Sequence, residues 1–359
     1  MPEGWEVLRS WLPEDLDGEA RKQGFLRRAS GLQESERWLR LFFMHVMGGL
    51  SLKQTVVRAE ELGLAKVSSV ALFKRLRQAE QWLRALSGHL LREQRHQLGL
   101  HQWPWGKGLR VIDATDVQEP GSTGTALRVH YSIRLPELAC DHYELGDHHG
   151  GERLGRFSFM AGEWVLADRG YSHRAGIAHV LRARAHVTFR WNAAIFPLLD
   201  AEGRPFRVLK WLKNLSATGA AEADVSFAYE GQSFSLRLCA KRKSRLAAGR
   251  SRSKIKDKAR RNGTRNIDPT SLELAGYILI LTSIESAGLS TSAVLEFYRY
   301  RWQIELYFKR LKSLLDAGHV PKSDDASAKA WMQAKILSAL LLERVLLEAR
   351  CFSPWGYRP

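Results

Sequence analysis

Five strand-like runs and one helix follow one another between residues 109 and 191, and their order leaves few folds open. Residues 109–115 read Leu-Arg-Val-Ile-Asp-Ala-Thr. Residues 126–134 and 138–145 are two further runs, rich in β-branched and aromatic side chains, with turn residues such as Pro120-Gly121 and Pro136 between. A fourth run, 163–167, ends at Asp168-Arg169-Gly170; a helix is expected over 172–184 and a fifth strand over 186–191. Three successive strands, then a fourth, a helix and a fifth predict an α/β domain.

The flanks differ in texture. The first hundred residues or so read as helical. Residues 51–83 predict a helix, a turn at Gly63-Leu64 and a second helix over 70–82, with Ser68 or Ser69 as its N-cap. Lys74, Arg75 and Arg77 lie on that second helix, and Leu72, Phe73 and Leu76 are available for packing. The layout is that of a helix-turn-helix, whose second helix can enter a major groove, so Lys74 and Arg75 are candidate DNA contacts. The alternative is an all-helical cap touching only phosphates or protein. Trp103-Pro104-Trp105-Gly106 marks the change to the α/β region, residues 192–284 are mainly strand-like, and long helices are expected over 292–316 and 326–350. The resulting division is a helical region 1–102, a core in two parts, 103–192 and 285–359, and a mostly-β insertion at 193–284.

Charge narrows the partners. The chain carries 55 Lys and Arg against 38 Asp and Glu, net +17, while its 45% hydrophobic content is that of an ordinary globular protein. Such an excess calls for a polyanion, nucleic acid before membrane. No apolar run reaches membrane-spanning length: the longest, 41–50, is broken by His45 and Gly48-Gly49. Met1-Pro2-Glu3-Gly4-Trp5 has no apolar signal core, so a cytoplasmic, nucleoid-associated protein is expected. Cys140, Cys239 and Cys351 are too scattered for a zinc site or disulfide framework and are expected as buried thiols. Residues 241–265 hold twelve Lys or Arg against the single acid Asp257. Arg252, Lys256 and Arg260 recur every four residues, as on a basic helix that follows a phosphate backbone. A solvated loop is the competing reading.

The chemistry-bearing segment runs from Tyr298 to Lys312. On a continuous helix, at roughly 100° per residue, Tyr298, Arg301, Glu305 and Lys312 fall within an arc of about 60°. Ile304, Phe308, Leu311 and Leu315 form an adjacent apolar stripe able to pack on the sheet. One carboxylate flanked by two cations and a phenol suits a metal-bound phosphate. Exposed i,i+4 ion pairs account for Glu305 with Arg301 or Lys309, but give no reason for Tyr298 and Lys312 to align. Asp116 lies past or opposite Asp113 on its strand, so Asp113 is the preferred acid. Asp141 and Glu144 are structural or border the site. Asp147, His148 and His149, followed by Gly150-Gly151, read as a polar turn rather than a metal cluster.

Tyr298, two residues, Arg301, three residues, Glu305, six residues and Lys312 reproduce the signature of the insertion-sequence-4 family of DDE transposases. Val111-Ile112-Asp113-Ala114-Thr115 resembles the strand that delivers the family's first aspartate, and Val165-Leu166-Ala167-Asp168-Arg169-Gly170-Tyr171 the strand end carrying its second. Glu305 lies 137 positions after Asp168, ample for the family's mostly-β insertion. The resemblance, over about residues 30–350, implies a ribonuclease-H-like core. It also implies a DDE triad of Asp113, Asp168 and Glu305 holding two Mg²⁺ or Mn²⁺ ions, with Asp113 bridging both. Tyr298, Arg301, Lys312 and Arg169 would then meet DNA phosphates. The implied partners are double-stranded DNA, as terminal inverted repeats and target, and a second copy of the chain in a dimeric synapse. The chain ends at Ser353-Pro354-Trp355-Gly356-Tyr357-Arg358-Pro359, earlier than family members usually do, so weakened dimerisation is expected. The competing functions are a ribonuclease-H-like nuclease without strand transfer, and a catalytically decayed DNA-binding regulator.

Overall fold

The computed structural model describes residues 2–26, 32–97, 102–103, 106–118, 125–147, 149–216, 219–264, 266–321 and 324–351. The tail from 352, with His148, Pro120-Gly121 and Arg265, lies outside the described residues. The chain divides into two compact units, Met1–Gly99 with Ala114–Gly151 and Glu305–Pro359, and Leu100–Asp113 with Glu152–Ile304.

Six helices come first: α1 (Pro2–Ser10), α2 (Leu16–Lys22), α3 (Ser35–Val46), α4 (Leu52–Glu61), α5 (Ser69–Arg77) and α6 (Glu80–Gln97). Two two-residue strands, β1 (Gln102–Trp103) and β2 (Gly106–Lys107), precede β3 (Leu109–Gln118), β4 (Thr125–Leu135) and β5 (Ala139–Gly146). Then come β6 (Trp164–Ala167), α7 (Arg174–Arg182), β7 (His186–Arg190), α8 (Val208–Lys213), β8 (Ala220–Tyr229) and β9 (Gln232–Arg242). The chain continues through α9 (Arg245–Arg261), α10 (Pro269–Leu274), β10 (Tyr277–Thr282), α11 (Thr291–Phe297), a 3₁₀ turn (Tyr298–Arg301), α12 (Trp302–Leu314) and α13 (Asp325–Cys351). Among the described residues no helix is long and apolar enough to cross a membrane.

In the first unit the helical expectation holds, with one refinement. Ser51 and Gln54 form a capping box on α4, and Ser68 caps α5 by accepting from the Ala71 N–H. The second helix ends sooner than expected, breaking after Arg77, with α6 starting at Glu80. Leu72 and Leu76 of α5 are fully buried, as are Trp82, Leu83 and Leu86 of α6. Helix α13 packs on α6, α5 and α3, and its residues from Ala328 to Leu341 are buried except Lys329, with Gln333, Lys335 and Ser338 the polar ones among them. The same unit pairs β4 with β5 antiparallel, in the order β5-β4-β3.

Between that hairpin and the C-terminal helices lies a polar knot. Tyr131 and Tyr307 share a hydrogen bond of 2.5 Å, Tyr307 donates to the Glu343 carboxylate, and the Cys140 N–H donates to it at 2.9 Å. Part of Glu343 faces an apolar groove, but its carboxyl group is enclosed, and burial pushes its pKa up to about 7 against the four donors that lower it, Tyr307, the Cys140 N–H, Gln94 and Tyr131. A raised carboxyl pKa means stability present below the ordinary value of 4.5 and lost as pH rises through about 7. Glu343→Gln removes the charge and keeps an acceptor for the Cys140 N–H, while its amide N–H can donate to the Tyr307 hydroxyl. It is expected to match the parent near pH 4 and to exceed it by up to about 3 kcal/mol above pH 7, in denaturation curves taken at both pH values. Equal stability at both would mean that the carboxylate is solvated.

The second unit is a mixed sheet in the order β3-β6-β7-β10-β9-β8. Strands β3, β6 and β7 run parallel, with α7 connecting the last two; β10 pairs antiparallel with β7, and β9 with β10 and β8. Parallel β3, β6 and β7 with α7 between the last two are the α/β arrangement that the order of elements predicts. The region after β7 does not build a separate sheet: β10, β9 and β8 extend this one. Phe196, Phe227 and Leu238 accordingly share one core with Ile112, Val165, Val187 and Phe189. Cys140 and Cys239 are buried free thiols, as expected; the Cys351 side chain lies outside the described residues.

Candidate active site

Parallel pairing determines where the acids stand. Ile112 of β3 is opposite Ala167 of β6, and Ala167 is opposite Phe189 of β7. The next residues along the three strands are Asp113, Asp168 and Arg190. Residues in register point to the same face of a sheet, so two carboxylates and a guanidinium emerge side by side, Asp168 and Arg190 at the carboxyl ends of β6 and β7 and Asp113 beside them within β3. The carboxyl ends of the strands are where open α/β sheets bind ligands. After Asp168 the chain turns at once into a 3₁₀ turn, Arg169–Tyr171. A Cβ at Gly170 in that turn would meet the Glu152 carboxylate, which would have to swing aside.

The segment from Ser290 is not one α-helix. Helix α11 ends at Phe297, Tyr298–Arg301 winds as a 3₁₀ turn, and α12 begins at Trp302. In 3₁₀ geometry side chains at i and i+3 eclipse, which puts Tyr298 and Arg301 on the same side. Phe297 packs on Trp164 of β6, with ring centroids 5.4 Å apart, and holds the turn over the strand ends. The Tyr298 hydroxyl donates to the Ala167 carbonyl at 3.2 Å and lies 3.5 Å from Asp168 Oδ1. Burial, then the charge of Asp168, pushes the phenol pKa up, against Arg301 and Arg190, so it stays a donor. Arg301 reaches both acids, with Nη1 3.4 Å from Asp113 Oδ2 and Nε 3.9 Å from Asp168 Oδ1. Arg169 donates to Asn192 Oδ1 at 3.0 Å. Burial and the neighbouring Arg190 lower its pKa, marking a local excess of positive charge.

Glu305 and Lys312 belong to the first unit. Glu305 is half-buried in the first turn of α12. The stripe expected beneath it is present: Ile304, Phe308, Leu311 and Leu315 are all buried. Lys312 donates to the Asp116 carbonyl at 3.0 Å, and burial lowers its pKa against the charge of Asp116. Asp116 itself is exposed and paired with Arg128 at 2.7 Å. Asp141 is buried and paired with Arg134, a structural placement. The Asp147 carboxylate accepts from the His149 and Gly150 N–H groups, which makes the segment a turn.

Other expected DNA contacts separate into two groups. Lys74 is exposed on α5, whereas Arg75 donates to the Phe25 carbonyl at 2.8 Å and lies over the Phe25 and Trp38 rings. The basic segment is a helix, α9, capped by Ser244, with Lys256 and Arg260 exposed along it. Arg252 is tied at Nε to the Leu272 carbonyl, and Arg260 to Asp257. Reading the sequence missed Arg190 and Asn192. Arg190 ends the fifth strand, and matching that end to Asp168 was the signal available.

Hard oxygen donors in register suit Mg²⁺ or Mn²⁺. The structure gives its own test of fit: the pair Asp113 and Asp168 already draws one cationic group, Arg301, between them. Among the described residues no group of three or more His, Cys, Asp or Glu side chains is gathered closely enough to hold an ion.

Comparison with known proteins shows the family. The family described as "Transposase DDE domain" matches residues 145–341. The chain is 32% identical to the putative transposase InsL of insertion sequence element IS186A from Escherichia coli K12, covering 98% of this chain and 96% of that protein. It is equally similar, 32% over 98% and 96%, to the transposase of insertion sequence element IS421 from Escherichia coli. A structural likeness, TM-score 0.45 at 10% identity and covering 97% and 81% of the two chains, is to the piggyBac transposase synaptic complex with hairpin DNA. The chain belongs to the DDE transposase family. Its relatives there are transposases of insertion sequences, in agreement with the insertion-sequence-4 signature.

Proposed function

We propose that this transposase cuts double-stranded DNA at the terminal inverted repeats of its own insertion sequence and joins the freed ends to target DNA. The observation that carries the proposal is the pair Asp113 and Asp168 side by side on adjacent parallel strands, with Tyr298 and Arg301 directed at it. Glu305 is the third carboxylate. Two Mg²⁺ or Mn²⁺ ions, when bound, supply activation of the attacking water or 3′ hydroxyl and neutralise charge on the leaving oxygen. Asp113, Asp168 and Glu305 would hold them. Tyr298 fixes Asp168 and the strand end behind it. Arg301, Arg169 and Lys312 orient the scissile phosphate and its neighbours. Residues 1–102, with Lys74 exposed, are the proposed DNA-binding region, the insertion 193–284 carries the basic helix, and a homodimer at the nucleoid is the proposed working assembly.

Linear DNA carrying the element's ends, incubated with the full chain, Mg²⁺ and a target plasmid, tests this. Cuts at the element boundary and joined products are expected. Cuts without joined products favour a nuclease, and binding without cuts favours a regulator.

The basic helix makes a separate prediction. Lys256→Ala and Arg260→Ala should each flatten the plot of log affinity against log salt by roughly 0.9 if each meets one phosphate. An unchanged slope in the double variant returns α9 to solvent.

A further inference from the structure

Asp113 and Asp168 emerge side by side, and one guanidinium lies between them. Arg301 reaches both carboxylates, at 3.4 and 3.9 Å, while its side chain keeps 15% of its surface exposed. These distances are loose for charge-assisted bonds, which close to roughly 2.7–2.9 Å. Elsewhere in the unit such bonds do close: Arg237 meets Glu222 at 2.7 Å and two backbone carbonyls at 3.1 and 2.6 Å. The two contacts of Arg301 with the aspartates are therefore governed by charge more than by hydrogen-bond geometry. It also ends a 3₁₀ turn between two α-helices, a winding that often marks a hinge. Rewinding that turn as α-helix would rotate Arg301 by roughly 60° relative to Tyr298. Tyr298 would remain anchored to the Ala167 carbonyl.

We propose that Arg301 is a built-in counterion that holds Asp113 and Asp168 together before metal arrives, and that it exchanges these carboxylates for a DNA phosphate as metal enters. The proposal rests on the two aspartates being metal ligands. Divalent ion and guanidinium compete for the same oxygens, so the resting protein binds metal weakly. A phosphate offered to Arg301 removes the competitor. Metal loading is thereby coupled to DNA, and the resting enzyme is kept from carrying a charged site in the absence of substrate. The Arg169 and Arg190 side chains beside Asp168 add positive potential that attracts the same phosphate.

The test is Mn²⁺ binding to the full chain without DNA, read from the loss of the free-ion resonance signal. Arg301→Gln should bind Mn²⁺ at least about tenfold more tightly than the parent, because a neutral amide replaces a competing cation. Without metal its melting temperature should fall, and Mn²⁺ should restore it. Arg301→Lys, which keeps the charge but loses the fork, should fall between the two and serves if the Gln variant does not fold. DNA carrying the element's end should tighten Mn²⁺ binding to the parent and change it little in Arg301→Gln. Asp113→Asn and Asp168→Asn should weaken binding in either background. If they do so while Arg301→Gln and Arg301→Lys bind no more tightly than the parent, the counterion proposal is overturned and the metal-site reading stands. If neither aspartate variant weakens binding, the metal-site reading fails, and this proposal with it.

Discussion

Asp168→Asn is expected to reduce cutting of end DNA in Mg²⁺ by orders of magnitude and to leave affinity for that DNA in metal-free buffer nearly unchanged. Asparagine keeps the shape of the side chain, and the register that places position 168 rests on β3, β6 and β7, not on its charge. Tyr298 retains its bond to the Ala167 carbonyl, and Arg301 retains Asp113. What is lost is an anionic metal ligand. Asp113→Asn and Glu305→Gln should copy the effect, and combinations should add little, because the three serve one assembly. Asp116→Asn is the control: its carboxylate faces Arg128, and cutting should survive. Near-parental cutting by Asp168→Asn would remove this acid from the chemistry and promote the regulator reading.

The largest stability effect is expected at Glu163, immediately before β6. Its carboxylate is 1% exposed and faces Arg110, 3% exposed, at 3.5 Å, while also accepting from the Met160 N–H at 2.8 Å. Arg110 in turn donates to the Ser158 carbonyl and lies over the Phe159 ring. Glu163→Ala takes from a buried guanidinium its Glu163 carboxylate, and breaking such a buried pair costs about 3–5 kcal/mol. Urea unfolding should show that loss. Removing both charges together, with Glu163→Leu and Arg110→Met, should recover most of it, because an apolar pair of similar volume needs no desolvation. A small loss in Glu163→Ala would mean that water reaches Arg110.

Much of the site was legible because its parts are local. Alternation and turn residues located β3 to β7, and the acids at two of those strands stood out against apolar neighbours. The stripe Ile304, Phe308, Leu311 and Leu315 followed from helical spacing and is buried as expected. The 3₁₀ turn was not legible, since Tyr298-Arg299-Tyr300-Arg301 has the composition of an ordinary helical turn. Arg75 looked like its neighbour Lys74; only the positions of Phe25 and Trp38, far away in sequence, turn it inward.

The sequence by itself determined the order of the elements from β3 to β7, the basic character of α9 and which acids and cations are candidates for phosphodiester chemistry, because each depends on side chains near one another along the chain. Tertiary structure alone decided that β8, β9 and β10 continue the core sheet, that Arg190 stands in register with Asp168, and that Arg301 joins Asp113 to Asp168. Those outcomes depend on strand pairing and on charges meeting between residues far apart along the chain, as in the 188 positions between Asp113 and Arg301. No local pattern encodes which ends will meet; the burial of a shared core selects the pairing, and the site follows from it.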